Sequence, residues 1–444
     1  MRMKAELSGK SVAVMGAGIC GISMVKALKG LGVDTVLYSD GPPESWASYR
    51  AARSLLPRQK LKDGRREHLA GKDLLCKSPG VPGHHPLVKE AQEKNIPIWT
   101  DANLAYHFCE APIMAVTGTN GKTTTVLMLQ KLLQREGFEV FCGGNIGRPC
   151  ADSILGAFDI YLFELSSFQL EYCPHFRADY SAITNISPNH EERYETFSLY
   201  KKAKYNLFQN RRDEDFHLIP EKLKLEDDPP FPVRAYTPKE VEDFKACYDW
   251  TRFQLQGPFN QENLFTAHTL AEAFLKNSSP KASSHLKTKT QDLIDTFSPP
   301  PHRLEPLGRW RGLNLYNDSK STNGLSTLKA LESFSDSGPI YLIFGGQMRR
   351  KYQHYGPHLQ KLHLQKLKSK CKKIFLIGES AGLLHSKLGG VSLLLDTLEN
   401  VKEYLEKNDL SGTLLFSPGL PSFDRYADYK ERGNHFKEIF SPSS

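Results

Sequence analysis

The chain has no Cys-x-x-Cys pair. Its eight cysteines, at 20, 76, 109, 142, 150, 173, 247 and 371, are scattered through 444 residues and mostly have apolar neighbours. Such spacing sets out neither a disulfide framework nor a zinc site, so reduced thiols in a cytoplasmic protein are expected. No run is long and apolar enough to cross a bilayer, which argues against membrane insertion. Arg2, Lys4 and Lys10 before the stretch Val12–Val25 superficially resemble a signal peptide. Gly16, Gly18 and Gly21 interrupt that stretch, and no clean cleavage site follows. No repeat of solenoid length occurs. Acidic charge is in deficit: 58 Lys and Arg face 50 Asp and Glu, a net +8. That balance suits a polyanionic small substrate or an acidic surface. The densest basic run, Lys361–Lys373, has Leu359, Leu362 and Leu367 at helical spacing. It reads as a solvated helix face ahead of a nucleic-acid surface. What is left is a soluble globular chain, 39% hydrophobic and 24% charged, too long for one core. About two to three domains are expected.

The most informative stretch is Ala115-Val116-Thr117-Gly118-Thr119-Asn120-Gly121-Lys122-Thr123-Thr124-Thr125. The apolar run Pro112–Val116 predicts a short buried strand. Gly118 and Gly121 bracket a tight turn. Val126, Leu129, Leu132 and Leu133 predict a helix over Thr123–Glu136. Strand, glycine turn, lysine, hydroxyl and helix together make a site for a nucleoside triphosphate. Turn N–H groups and the helix N-terminus point at the phosphates, and the helix dipole favours their charge. Lys122 adds a point charge near the β- and γ-phosphates, and the Thr123 hydroxyl can ligate Mg²⁺. The usual P-loop spacing calls for glycine at the place of Val116, so this is a shortened variant.

The first segment, to about Glu110, alternates strands and helices. Val12–Met15 reads as a strand, Gly16-Ala17-Gly18-Ile19-Cys20-Gly21 as a turn, Ile22–Leu31 as a helix and Thr35–Ser39 as a strand ending at Asp40. This GxGxxG-plus-acid pattern marks a nucleotide-like ligand, and alone it would suggest an NAD enzyme. The second segment, from Ala111, adds strands at Ile160–Leu165 and Tyr180–Ile186. Glu226–Pro232 and Ser278–Ser284 read as surface loops. The prolines of Ser298-Pro299-Pro300-Pro301 mark a domain boundary. Beyond them, strands are expected at Leu313–Tyr316, Ile340–Phe344, Ile374–Ile377, Val391–Leu395 and Thr413–Phe416, giving a parallel doubly wound sheet.

Six strings now combine. They are the phosphate loop, Glu164-Leu165-Ser166-Ser167-Phe168-Gln169-Leu170, Asn185-Ile186-Ser187-Pro188-Asn189-His190-Glu191-Glu192-Arg193, Tyr200-Lys201-Lys202-Ala203-Lys204, Pro301-His302-Arg303-Leu304-Glu305, and Asn317-Asp318-Ser319-Lys320-Ser321-Thr322-Asn323. In this order the set closely resembles the Mur ligases over essentially the whole chain, and the Glu-Leu-Ser-Ser-Phe-Gln-Leu string is most similar to their D-glutamate-adding branch. The resemblance implies an α/β protein of three domains. A Rossmann-like domain, 1–110, would bind UDP-N-acetylmuramoyl-L-alanine. A central P-loop-type ATPase domain, 111–299, would bind ATP. A Rossmann-like domain, 300–444, would bind D-glutamate. The reaction implied is ATP-dependent amide formation through an acyl phosphate, by a cytoplasmic monomer.

The resemblance also implies roles. Lys122, His190, Lys204 and Lys320 would be catalytic. Two Mg²⁺ ions would be held, one by Thr123 and Glu164, the other by His190 and by Lys204 as a carbamate, since a free ammonium would repel the metal. ATP would touch Gly118, Thr119, Asn120, Gly121, Lys122, Thr123, Thr124, Asn260, Asn263, His302, Arg303 and Asp318. The sugar nucleotide would touch Gly16, Gly18, Ile19, Asp40, Ser78, Gly80, Asn145 and Ser166. The amino acid would touch Thr322, Arg349, Ser422, Phe423 and Tyr429. Several of these have an ordinary reading: Glu164 a surface carboxylate, His190 a loop histidine pairing with Glu191 or Glu192, Lys204 a helix-surface lysine, Asp318 and Lys320 a turn's Asx motif and a solvated lysine. The site reading is preferred for Glu164, beside Ser166 and Ser167 after an apolar run, and for His190, after a buried strand, whereas only the resemblance singles out Lys204. Departures from the family pattern are Asn189 for aspartate, Phe259 for histidine, Arg349 for lysine, and the string Ser417-Pro418-Gly419-Leu420-Pro421-Ser422-Phe423-Asp424. The alternatives are a sibling ligase adding L-alanine or meso-diaminopimelate, a folylpolyglutamate synthetase, an NAD-dependent oxidoreductase, and a non-catalytic nucleotide-binding protein.

Overall fold

In the computed structural model, residues 7–190, 193–227, 232–255, 257–334, 338–347 and 357–440 are described. Three separate sheets carry the chain. The first contains β1 (Ser11–Met15), β2 (Asp34–Ser39), β3 (Leu61–Asp63), β4 (Leu74–Lys77) and β5 (Ile98–Trp99), in the order β3-β2-β1-β4-β5. The second contains β6 (Ile113–Thr117), β7 (Val140–Gly144), β8 (Ile160–Glu164), β9 (Tyr180–Ile183), β10 (Phe216–Pro220) and β11 (Arg234–Tyr236), in the order β11-β10-β9-β6-β8-β7. The third contains β12 (Glu305–Trp310), β13 (Leu313–Asn317), β14 (Ile340–Gly345), β15 (Lys373–Ile377), β16 (Ser392–Asp396) and β17 (Gly412–Gly419), in the order β12-β13-β17-β14-β15-β16. By contacts the chain forms two compact units. One is Met1–Tyr248 with Asn263–Leu293, holding the first two sheets; the other is Asp249–Glu262 with Ile294–Ser444, holding the third.

All the strands but β12 pair in parallel, and the central ones, such as β6 and β8, are buried along their whole length. In β1, Val12 and Val14 enter one core cluster with Leu37, Leu74 and Cys76, while Ala13 and Met15 enter another with Tyr38, Leu75 and Val88. All five residues of β6 are buried. β6 pairs with β8 on one side and β9 on the other, so the loop leaving β6 lies between the loops leaving β8 and β9. Ligands of open α/β sheets bind at such a reversal of strand order, outside the carboxyl ends of the strands. The equivalent reversals are β1/β4 in the first sheet and β14/β17 in the third.

Two expectations are corrected. The third sheet is not wholly parallel: β12 runs antiparallel to β13. Arg311 and Gly312 join them with φ of 43° and 86°, and two positive φ values in a two-residue loop make the hairpin turn that suits strand twist. An Arg-Gly pair is a weak turn signal, so β12 was not expected. The stretch Ser278–Ser284 is not a loop: one helix, Pro258–Ser278, stops and another, Pro280–Thr296, starts, with proline in its favoured first helical position. In the other expected loop, Glu226 and Asp227 end the helix Glu221–Asp227, while 228–231 lie outside the described residues. The basic run lies in the helix Pro357–Lys370 as far as Lys370, with Lys366, Lys368 and Lys370 exposed and Leu367 buried, and ends at Lys373, the first residue of β15. None of the eight cysteines is in a disulfide. Among the described residues no helix is long and apolar enough to cross a membrane.

Candidate active site

The loop leaving β6 admits only glycine at two places. Gly118 has φ 148°, and a Cβ there would lie 2.0 Å from Thr184 Oγ1. Gly121 has φ 84°, and a Cβ would lie 2.4 Å from Asn263 Oδ1. Side chains from the exit of β9 hold the loop. Thr119 N donates to the Asn185 carbonyl at 2.8 Å and Asn120 N to Asn185 Oδ1 at 3.1 Å. Asn185 Nδ2 and Thr184 Oγ1 both donate to the Asn120 carbonyl, at 2.9 and 2.6 Å. Gly121 caps the helix Lys122–Arg135 in the left-handed conformation, so the helix opens on a turn shaped for an anion. Lys122 Nζ folds back to the carbonyls of Gly118 and Thr119, at 2.9 and 3.0 Å. Thr124, in the first turn, is buried.

Behind the loop stands Glu164, the last residue of β8 and 1% exposed. Its Oε2 accepts from Thr123 Oγ1 at 2.7 Å, and its Oε1 accepts from Asn145 Nδ2 at 2.7 Å. A hydroxyl and a carboxylate in contact are hard oxygen donors, and they fit Mg²⁺ bound jointly with phosphate oxygens. Among the described residues no cluster of three or more His, Cys, Asp or Glu is arranged to hold a metal by itself.

Lys204 is the chief surprise for a reading by spacing alone. It is 1% exposed, in the last turn of the helix Phe197–Tyr205, which Thr196 caps. Its Nζ donates to the Gly118 carbonyl at 2.7 Å, the same carbonyl that Lys122 uses, and lies 3.4 Å from Thr117 Oγ1. Burial and then the charge of Lys122 push its pKa well below the usual lysine value, against the pull of Glu164. The amine is therefore held towards its neutral form. Tyr200, one turn earlier, lies under it with Nζ 4.8 Å from the ring centroid, and Tyr200 OH meets Thr119 Oγ1 at 3.1 Å. His190, at φ 58°, packs edge-on to Phe168 with centroids 4.8 Å apart and lies 6.1 Å from the Tyr200 ring. His190, Tyr200 and Lys204 thus converge beside the phosphate loop. Asn263 joins them from the helix Pro258–Ser278, where Thr125 Oγ1 donates to it at 3.4 Å; Asn260 is buried one turn earlier on that helix.

In the first sheet, Gly16 has φ 101° and its carbonyl accepts from Ser78 Oγ at 3.2 Å. A Cβ on Gly21 would lie 1.7 Å from that carbonyl, so the turn needs glycine there too. Gly18 caps the helix Ile19–Gly30, Ile19 is 80% exposed beside it, and Gly80 has open space around it. Asp40 is engaged: Oδ1 meets His85 Nε2 at 3.0 Å and Oδ2 accepts from Arg65 Nε at 2.8 Å. Burial raises its pKa, but these two partners outweigh it and the net shift is downward. His85 Nδ1 accepts from Leu87 N, so Nε2 carries the proton donated to Asp40. Ser166 also has a structural task. It caps the helix Ser167–Leu170 in a reciprocal capping box with Gln169.

In the second unit, Asp318 is buried and accepts from Ser321 Oγ, Ser417 Oγ and Leu304 N at 2.6, 2.7 and 3.3 Å. Burial lifts its pKa to about 6 despite these donors. Lys320 Nζ lies 3.9 Å from the Tyr429 ring centroid. His302, at φ 65°, accepts from Asn317 Nδ2 at 3.0 Å through Nδ1, and Arg303 follows it, half-buried. Ser321 accepts from Gly419 N at 2.8 Å, which sets half-buried Thr322 beside the exit of β17. Ser422 is buried three residues on, and Phe423 is 64% exposed. Gln347 N donates to the Pro421 carbonyl at 2.9 Å. Arg349 lies outside the described residues.

The sequence reading missed Thr184, Asn185 and Tyr200 as site residues. Tyr200 stands four residues before Lys204, the helical same-face spacing, and that signal was available. The apolar pattern predicts a strand that runs to Ile186, whereas β9 ends at Ile183, which frees the side chains of Thr184 and Asn185 for the loop.

Residues 116–229 match the family described as "Mur ligase middle domain". The UDP-N-acetylmuramoylalanine--D-glutamate ligase of Thermoanaerobacter pseudethanolicus is 31% identical, with 98% of each chain covered. That of Koribacter versatilis is 30% identical, again with 98% of each covered. Among solved structures, the UDP-N-acetylmuramate-alanine ligase of Thermotoga maritima aligns over 97% of this chain and 98% of its own, with TM-score 0.55 at 15% identity. The MurF ligase of the same organism, solved with ADP, aligns over 84% and 88%, with TM-score 0.56 at 14% identity.

Proposed function

Because this chain belongs to the Mur ligase family, we propose that it joins D-glutamate to UDP-N-acetylmuramoyl-L-alanine at the expense of ATP, making a peptidoglycan precursor. The observation that carries the reading is the contact chain Thr123–Glu164–Asn145 beside Lys122 and buried Lys204, all at the exit of β6. The three sheets support three domains, which this reading bounds at 1–110, 111–299 and 300–444 for sugar nucleotide, ATP and amino acid; a cytoplasmic monomer is part of the same proposal.

A carboxylate does not acylate an amine unaided. Its oxygen takes the γ-phosphoryl group of ATP, ADP leaves, and the resulting acyl phosphate is attacked by the amine of D-glutamate. Phosphate then departs from the tetrahedral adduct. Phosphoryl transfer depends mainly on positioning and charge neutralisation. Lys122 supplies a cation at the helix N-terminus, and the phosphate-loop N–H groups orient the phosphates. Thr123 and Glu164 would hold one Mg²⁺, His190 and Lys204 a second, and the ions would neutralise charge on the phosphate oxygens. A neutral, buried Lys204 amine is the form that adds CO₂, losing a proton to become a carbamate. That replaces a cation by an oxygen ligand. Asn260, His302, Arg303 and Asp318 would contact ATP, Lys320 would act near its phosphates, and Thr322, Arg349, Ser422, Phe423 and Tyr429 would receive the amino acid.

Phosphate release with ATP, Mg²⁺, UDP-N-acetylmuramoyl-L-alanine and a panel of amino acids tests the proposal. D-Glutamate should be the preferred acceptor, and Lys204→Arg, which cannot form a carbamate, should be nearly inactive. Preference for L-alanine or meso-diaminopimelate would overturn the specificity, and full activity in Lys204→Arg would overturn the carbamate.

A further inference from the structure

Arg193 has no role in the reaction proposed above, yet it is bound on every side. Its guanidinium is 12% exposed. Nη2 donates to Glu171 Oε2 at 2.5 Å. Nη1 reaches the carbonyls of Pro79 and Val81, both at 3.3 Å. The guanidinium carbon lies 4.3 Å from the Phe168 ring centroid, and the same ring packs against His190. One side chain therefore touches the loop after β4, which carries Ser78 and Gly80, and the ring that seats His190. A planar group with five donors can serve carboxylate, carbonyls and an aromatic face together; an ammonium cannot. The Glu171-Tyr172 segment is also gripped from the opposite side, where Lys77 Nζ lies 4.6 Å from the Tyr172 ring centroid. Lys77 immediately precedes Ser78, so both ends of this grip lead back to the same loop.

We propose that Arg193 is a positioning residue that couples the loop Ser78–Val81 to His190, so that sugar-nucleotide binding and Mg²⁺–nucleotide binding reinforce each other. Ordering of one loop is transmitted because the shared side chain can satisfy all its partners in one arrangement only. The inference rests on the proposed assignment of Ser78 and Gly80 to the sugar nucleotide and of His190 to a metal.

Calorimetric titration of UDP-N-acetylmuramoyl-L-alanine, with and without Mg²⁺ and a non-hydrolysable ATP analogue, gives two dissociation constants. In the wild type their ratio should be about fivefold or more, the usual lower range for coupled sites. Arg193→Met should bring the ratio close to one. Arg193→Lys, which keeps charge without the planar fork, should also lose most of it. Glu171→Gln, which leaves both carbonyl contacts in place, should lose less, and it keeps the test open if Arg193→Met does not fold. An unchanged ratio in folded Arg193 variants, or a wild-type ratio of one, would overturn the coupling. Failure of the wild type to bind the sugar nucleotide at all would instead overturn the assignment on which the inference stands.

Discussion

At the scale of single residues, two buried lysines are exposed to the same physics with different outcomes. Lys204 has the Gly118 carbonyl as acceptor and Glu164 nearby. Lys77 is fully buried, and its Nζ has no hydrogen-bond acceptor among the described residues. Burial, then the charge of Arg193, lowers the Lys77 pKa to about 8, with Glu171 opposing. A folded-state value below the unfolded one means that the fold disfavours the charged form. Between about pH 8 and pH 10.5 the unfolded chain binds the extra proton, so this residue's contribution to stability improves as pH rises through that window. Below pH 8 the full penalty applies, on the order of 3 kcal/mol for a shift of this size. Lys77→Met should therefore stabilise the protein at pH 7, and the gain should shrink towards pH 10.5. Urea unfolding of both proteins at several pH values measures this; a destabilised Lys77→Met at pH 7 would show that the ammonium has a stabilising partner.

At the scale of elements, the short helix Ser167–Leu170 owes its place to side chains more than to its own length. Four residues cannot sustain a helix alone, because nucleation costs more than one turn returns. The capping box satisfies its first N–H groups: Gln169 Oε1 accepts from Ser166 N and Oγ, and Ser166 Oγ accepts from Gln169 N. The other end of the same amide donates to Asp101 Oδ1 at 3.1 Å. Asp101 is buried in turn against Cys150 N, at 2.9 Å. Burial raises the Asp101 pKa, and Gln169 is the first group holding it down. Gln169→Leu would remove the reciprocal half of the capping box, keep the Ser166 Oγ bond to the backbone N–H of residue 169, and leave a buried carboxylate one donor short, a cost of about 1–3 kcal/mol. The loss should be larger at the higher of two pH values that bracket the ionisation of Asp101, because only the ionised carboxylate misses the donor strongly. Denaturant titrations at the two pH values check both size and sign. Equal losses would show that the charge of Asp101 is not what the lost donor serves.

For the whole molecule, each sheet gathers its candidate residues at the carboxyl ends of its strands. The loops after β6, β8 and β9 form the phosphate cluster within the first unit, and those after β13, β14 and β17 form the Asp318–Lys320–Tyr429 cluster within the second. A ligand that binds only the folded state stabilises it by mass action, about 2.7 kcal/mol at a hundred times its dissociation constant. Mg²⁺ with a non-hydrolysable ATP analogue should therefore raise the thermal transition of the wild type. In Lys122→Ala the shift should vanish while the transition without nucleotide stays in place, because Lys122 is half-buried and its Nζ bonds to carbonyls of its own loop. Differential scanning calorimetry decides: an undiminished shift in Lys122→Ala would remove this lysine from nucleotide binding.

Local pattern determined much of this protein. Apolar runs placed β6, β8 and β13 to β16 to within a residue or two and β9 and β17 at one end, since a buried strand must be apolar whatever its partners; β7, β10 and β11 were not legible in this way. The glycines of the two nucleotide turns and the lysine and hydroxyl after Gly121 were legible for the same reason: a positive φ or a close approach of backbone excludes other residues at that point. The hairpin of β12 was hidden, because its turn uses Arg311-Gly312 and not a strong turn pair. Tertiary structure alone decided the environment of each ionisable group. Lys204, Lys77 and Arg193 are ordinary charged residues in the sequence. Which of them is buried, and against which carbonyl, ring or carboxylate, depends on residues up to more than a hundred positions away, as with Arg193 and the Pro79 carbonyl, 114 positions apart. A pKa or a coupling is a property of that assembled neighbourhood, and no spacing along the chain encodes it.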